Sequence, residues 1–347
     1  KQFLILVLAL VVLGGAGLAL FWQDIADYRS TGAKIGARLL PELKLADVAH
    51  IELRDARNAA TLARKDNRWL VQERGGYPAN FQDISDMLIK LVELKVVQSE
   101  VIGDSLLPRV GLAPPPAKPS SETKEEDAKQ VGTRVEMKDA AGKTLATVTA
   151  GKVVLKKDPG NPLPAAQNGV PAGRYVQVAG AKNVAVVSDP LNKVEADPAK
   201  WLDRTFFKVE RVKTLTVAGD AGVRWKIARD EEWGQWRPVA GGASLPDANT
   251  AVSAVNGLSN WTFADVAMGA QEGGDKPVTV TAETFDGLTY TFRIAARKGG
   301  DYLLNGNVEG EPPQARTPEK DEKPEDKARR DKDYAETLKK LQERIAR

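Results

Sequence analysis

His50 is the single histidine of a 347-residue chain that has no cysteine. A Ser-His-Asp triad would have to use it, and centres built on several histidines or on thiolates are excluded. No acidic or nucleophilic motif follows it, so it reads as a surface or interstrand side chain. Phosphate chemistry fares no better. Gly142-Lys143 and Gly151-Lys152 lack the spacing of a phosphate-binding loop, and the first is a hairpin. Glu125-Glu126-Asp127 and Glu231-Glu232 are acidic, but no alternating aspartate loop surrounds them, and they read as solvated faces. A carboxylate pair such as Asp83 and Glu93 could in principle cleave a glycosidic bond. Nothing marks that pair as more than helix surface. Lysine plus arginine number 50 against 47 for aspartate plus glutamate, which leaves no electrostatic footprint for nucleic acid. The sequence implies no cofactor and no metal. The remaining chemistry is aromatic. Trp225, Trp233 and Trp236 crowd around one turn and can serve as a ligand platform, a partner hot spot or simply a larger core.

These residues must be positioned by a unit that occurs twice. At an offset of 164, Val48, Ile51, Leu53, Trp69, Asp83, Leu88, Leu91 and Leu94 meet Val212, Leu215, Val217, Trp233, Asp247, Val252, Val255 and Leu258. Similarity at a fixed offset is the mark of one structural unit used twice. On this alignment Trp69 and Trp233 are equivalent, and both are expected to pack in a core against a helix. His50 meets Thr214, so nothing structural demands histidine there. Trp225, Trp236 and Trp261 are specific to the second copy.

The fold class is α+β, with two tandem units of β-meander, helix and β-hairpin. In the first, residues 48–53, 60–64 and 68–72 alternate as strands around a Lys65-Asp66-Asn67 turn, and Tyr77-Pro78-Ala79-Asn80 breaks the meander. Residues 83–94 carry apolar side chains at helical spacing, with Asn80 or Asp83 as the cap. Strands follow at 133–137, 143–149, 175–178 and 183–187. The second unit repeats the order at 212–217, 223–228, 233–238, 247–258, 278–283 and 288–294. A terminal strand aligns Tyr302 with Tyr175. The expected domains are a connector at 23–47, units at 48–209 and 210–310, a disordered linker at 311–326 and a charged helix at 327–347. Residues 111–130, with four prolines and a Ser/Glu run, read as a solvated loop, and residues 160–173 as another. Asp197-Pro198 opens a short capped helix between the units. In the C-terminal helix Tyr334, Leu338, Leu341 and Ile345 form a seam too narrow to fold alone. The seam must pack on the body of the protein or on a partner. With Trp225 and Trp236, these four are the candidate partner-binding residues.

Residues 3–22 are an unbroken apolar run of the length that crosses a bilayer. Lys1 precedes it and Phe21-Trp22 end it, as expected for an anchor with its N-terminus in the cytoplasm and the bulk of the chain outside. A cleavable signal peptide is the rival reading, since Gly14, Gly15, Ala16, Gly17 and Ala19 follow the first apolar stretch. The run continues through Leu18, Leu20, Phe21 and Trp22, which favours the anchor. Residues 1–22 are therefore expected to be a single-pass anchor in a bacterial inner membrane, with a periplasmic body.

Several short motifs carry a family resemblance. They are Leu39-Leu40-Pro41-Glu42-Leu43, Val48-Ala49-His50-Ile51-Glu52-Leu53, Trp69-Leu70-Val71, Tyr77-Pro78-Ala79 and Asp197-Pro198-Ala199-Lys200-Trp201-Leu202. Over roughly residues 39–305 the chain resembles a family of bacterial extracytoplasmic proteins of unknown function. Genes of that family lie beside those for gliding-motility-type ABC transporters and their GldG-like auxiliary component. The resemblance implies association with an ABC transporter permease, a GldG-like auxiliary subunit and a separate ATPase chain. It brings no catalytic residues. The function expected is that of a non-enzymatic accessory subunit that binds substrate or partner subunits. The alternative is an envelope adaptor that binds peptidoglycan or another protein without a transporter.

Overall fold

The computed structural model describes residues 35–157, 169–204, 209–241, 247–259, 261–269, 276–297, 299–315 and 323–345. The expected anchor at 3–22 and most of the connector lie outside them. Among the described residues no helix is long and apolar enough to cross a membrane. The chain divides into two compact units after Asp203. That boundary falls six residues before the expected one, because Val209 already belongs to the second core and donates its N–H to the Leu258 carbonyl at 3.2 Å.

The first unit is a nine-stranded sheet in the order β4-β3-β2-β1-β6-β7-β8-β9-β5. Its strands are β1 His50–Arg54, β2 Ala59–Lys65, β3 Arg68–Val71, β4 Tyr77–Pro78, β5 Val96–Val101, β6 Thr133–Lys138, β7 Thr144–Lys156, β8 Val170–Val178 and β9 Asn183–Val187. These strands pair antiparallel throughout, and alternation sets one face inward. Ile51 and Leu53 are buried while His50, Glu52 and Arg54 are half-exposed. Asp66 and Asn67 both have positive φ, 49° and 61°, as a two-residue hairpin between right-twisted strands requires. Helix α1, Phe81–Glu93, buries Ile84, Met87, Leu88 and Leu91, the one stripe its period of 3.6 can turn inward. Asn80 caps it, its side chain accepting from the N–H groups of Gln82 and Asp83. The 3-10 turn Pro198–Trp201 is capped by Asp197 as expected, and Trp201 is buried with its indole N–H on the Glu195 carbonyl. Its carbonyl accepts from Asn80 N–H at 2.7 Å, which ties the end of the unit to the start of α1.

Three expectations for this unit are corrected. Tyr77–Pro78 pairs with β3 rather than ending the meander, and Val96–Val101 is a strand that the unpatterned sequence concealed. The proline-rich stretch is tied down. Ser120 N–H and the Thr123 hydroxyl both bond the Ala56 carbonyl, and Arg57 Nε donates to the Thr123 carbonyl at 2.9 Å. Leu112 is buried, and helix α2, Glu125–Ala128, forms within the stretch. Bonds of this kind leave no hydrophobic period for a sequence reading to detect.

The second unit is a six-stranded sheet in the order β12-β11-β10-β13-β14-β15. The strands are β10 Val212–Gly219, β11 Gly222–Ala228, β12 Arg237–Gly241, β13 Val278–Thr284, β14 Leu288–Ala296 and β15 Tyr302–Gly310, with helix α3, Ala248–Ser259, following β12. That order is the β3-β2-β1-β6-β7-β8 order of the first unit, so the duplication extends to topology.

The alignment without a gap does not survive. His50 pairs with Ala63, and Thr214 with Ala228, so a β-bulge after Val217 has added one residue. Ala63 pairs with Leu70 and Ala228 with Arg237, so the next turn has added two more. From there the offset is 167. Asn80 then meets Asp247, and each caps its helix. Ile84, Met87, Leu88 and Leu91 meet Ala251, Ala254, Val255 and Leu258, all of which belong to the second core or pack against it. Val252, the partner of Leu88 at 164, is 43 % exposed. In the terminal strand the ladders match Val176 to Leu304, which places Leu303 rather than Tyr302 opposite Tyr175.

The two cores fill similar space with different residues. Trp225 stands where the first unit has Ala60, and Phe292 where it has Val148. In return α3 presents Ala251 and Ala254 where α1 presents Ile84 and Met87. Bulk has moved from helix to sheet, as close packing demands when total volume is held. Helix α4, Pro324–Ile345, begins inside the stretch expected to be linker. It meets the second unit at β15, and its Tyr334 hydroxyl donates to the Pro313 carbonyl at 2.6 Å.

Candidate functional site

Trp69 is buried, as expected, but Trp233 is 91 % exposed. The slip in the repeat explains the correction. Arg64 pairs with Trp69 on the β2–β3 hairpin, and Arg64 N–H bonds the Ala49 carbonyl. Arg229 N–H bonds the equivalent Lys213 carbonyl, and its guanidinium lies over the ring of Trp236 at 4.7 Å. Trp236 is therefore the counterpart of Trp69. The Arg-to-Trp interval holds four residues in the first copy and six in the second, and the longer turn carries Trp233 outward.

The other tryptophans of this region are committed to structure. Trp225 and Trp236 are half-buried and pack on the second core, and Trp261 meets Phe292 edge-on at 4.7 Å. Of the C-terminal candidates, Tyr334 and Leu338 are half-exposed, and the side chains of Leu341 and Ile345 lie outside the described residues. The structure does not bring Trp233 into a shared platform with Trp225 and Trp236, both of which face the core.

The turn that carries Trp233 is clamped at its base. Arg211 has φ 54°, a left-handed conformation rarely adopted by a long side chain. From there its guanidinium takes Glu232 bidentately, Nε to Oε1 at 2.9 Å and Nη2 to Oε2 at 2.8 Å. Its Nη1 donates to Asp286 in the β13–β14 turn. The hydrogen bond from Arg211 holds the Glu232 carboxyl below its usual range, against the effect of burial. Asp286 goes the other way. Its burial outweighs the attraction of Arg211 and raises its carboxyl above the usual value. A second pair, Arg237 with Asp230, braces the turn from the β12 side, and Gly234 N–H closes it on the Glu231 carbonyl at 2.9 Å. Fork-shaped pairs of this kind fix orientation as well as charge. The result is a braced tip that offers a large aromatic face to solvent between Glu231, Glu232 and Gly234. Asp286 sits at the base of the tip, under the Arg211 guanidinium.

The signal for this site lies in the sequence, in the Arg–Trp pair that each hairpin carries. Aligning the Arg–Trp pairs of the two hairpins, instead of the tryptophans at fixed distance, would have put Trp236 in the core and left Trp233 in the turn. His50, by contrast, lies where expected, half-exposed on β1 opposite Ala63 and Lys138, and its counterpart is Thr214.

The model of one family, the domain of unknown function DUF4340, matches residues 69–283, from Trp69 in β3 to Glu283 in β13. The match runs across parts of both units and falls within the stretch on which the resemblance was read. No curated protein and no solved structure matches the chain. The chain belongs to the DUF4340 family.

Proposed function

We propose that this member of the DUF4340 family is a non-enzymatic, membrane-anchored accessory subunit of an ABC-type transporter or envelope complex in the bacterial inner membrane. On this reading residues 3–22 hold the chain in the bilayer, N-terminus inward, and the two sheet-and-helix units form the periplasmic part. ATP is hydrolysed by a separate chain, and the permease and a GldG-like auxiliary subunit are the partners. The observation that carries the reading is the clamped tip bearing Trp233. The second copy holds one tryptophan in solvent with a turn two residues longer, an αL arginine and two carboxylates. An exposed, pre-ordered aromatic loses little freedom on binding and can supply a large share of an interface. The apolar run ahead of the units and the neighbourhood implied by the resemblance supply the setting.

Purification of the tagged full chain from detergent-solubilised membranes tests the proposal. Permease and ATPase should co-elute in fixed ratio. Recovery of the chain alone, under conditions in which a permease–ATPase pair stays intact, contradicts it.

A further inference from the structure

The two sheets end differently, and the first shows what the second is missing. In the first unit β8 is covered by β9, and β9 by β5. Among the described residues the second sheet stops at β15, the counterpart of β8. The chain that follows β15 is Glu311-Pro312-Pro313, and two successive prolines cannot turn back as the next ladder strand. The segment matching β5 at the offset of 167 is 263–268, and it is not a strand. Among the described residues the second unit thus keeps one flank, β15, and has neither the strand that covers it in the first unit nor the strand beyond that.

β15 also lacks the sequence features that usually blunt an edge. Exposed edges are usually blunted by short length, proline or charge. The opposite edge strand, β12, is five residues long and contains Arg237 and Pro238. β15 has nine residues, no proline, no lysine and one charge, Glu309. The burial pattern agrees. Val176 of β8 is fully buried beside β9, while its counterpart Leu304 is half-exposed and Tyr302 is 72 % exposed.

We propose that β15 receives an extended segment of a partner protein, which adds to the second sheet as β9 adds to the first. The template fixes its chemistry and direction. β9 runs antiparallel to β8 with the sequence Asn183-Val184-Ala185-Val186-Val187, placing Ala185 opposite Val176 and Val187 opposite Arg174. The incoming strand therefore runs antiparallel to β15, is rich in β-branched residues, and sets small apolar side chains opposite Leu304 and Tyr302. Main-chain hydrogen bonds supply its affinity and the alternate side chains its specificity. Helix α4 meets this side of the sheet, but Tyr334 fastens it at Pro313, beyond the end of the strand.

The test is hydrogen exchange of the full chain in detergent micelles, with a synthetic peptide of residues 182–189 as the probe. At saturating peptide, amides of β15 should slow by about ten-fold or more, with β12 unchanged. A scrambled peptide should do nothing, and Leu304→Lys should abolish the slowing while β13 and β14 keep their protection. The proposal is overturned if β15 is unaffected, or if the scrambled peptide works as well. It is also overturned if β15 is as protected as β14 before peptide is added, which would mean that α4 already covers the edge. Protection without peptide that rises with protein concentration would assign the edge to a second copy of this chain and overturn the partner strand.

Discussion

Replacing Trp236 and Trp233 by alanine, one at a time, separates the two alignments of the repeat. Trp236 packs on the second core and lies under the Arg229 guanidinium at 4.7 Å. Truncating a fully buried tryptophan costs about 3–5 kcal/mol, and a half-buried one roughly 2–3 kcal/mol. Loss of the cation–π contact adds about 0.5–1 kcal/mol. Trp236→Ala should therefore destabilise the second unit by about 3 kcal/mol. Trp233 has 91 % of its surface in solvent, so Trp233→Ala should stay within about 0.5 kcal/mol of the parent. The assay is urea unfolding followed by circular dichroism, with hydrogen exchange to identify which unit opens. At a slope of about 1–3 kcal/mol per molar, the Trp236 variant loses roughly 1 M or more in midpoint. An equal or larger loss in Trp233→Ala would restore the fixed offset of 164 and refute the reasoning that places Trp233 outside.

Three further outcomes follow from the same geometry. Arg174 donates Nε to the Gly151 carbonyl at 2.7 Å and Nη1 to the Leu191 carbonyl at 2.9 Å, satisfying acceptors beside the β7 bulge and on the left-handed Leu191. Arg174→Met should cost the first unit about 2–4 kcal/mol in chemical unfolding, because two part-buried carbonyls lose their donor. Glu232→Gln should lower stability at neutral pH. The folded carboxyl is depressed by Arg211, so its contribution is present above the unfolded value and is lost as pH falls through the folded one. Melting curves of parent and variant should therefore converge below about pH 4. His50→Thr should leave both stability and partner recovery unchanged, within about 0.5 kcal/mol, because the equivalent strand position already carries Thr214.

The elements with strong periods were legible in the sequence. The β1 alternation, the α1 stripe and the β13–β14 hairpin all declare themselves through apolar spacing, and the repeat declared itself through their order. The missing parts have physical reasons. β5 carries Gln98, Ser99 and Glu100 and owes its form to pairing with β9, a tertiary demand that local pattern does not record. The 111–130 stretch is held by bonds from Ser120 and Thr123 to the Ala56 carbonyl and from Arg57 to the Thr123 carbonyl. The slip from 164 to 167 is a bulge and a longer turn, both outside the core and silent in hydrophobicity. That slip moved the candidate site. Trp225 and Trp236 pack on the second core, one of the readings their sequence allows, while Trp233, expected in the core, is the exposed tip. The clamp of Arg211 on Glu232 and Asp286 joins three separate turns, and only the fold assembles it.

The accessory-subunit account stands or falls on what Trp233 touches in the membrane. The chain has no cysteine, so Trp233→Cys supplies a unique handle for a thiol-directed photo-crosslinker in intact cells. The account predicts a specific adduct with a transporter subunit, absent when the cysteine replaces Asn67 in the short turn of the first unit. Adducts of equal yield and identity from both positions, or none from position 233, would contradict it.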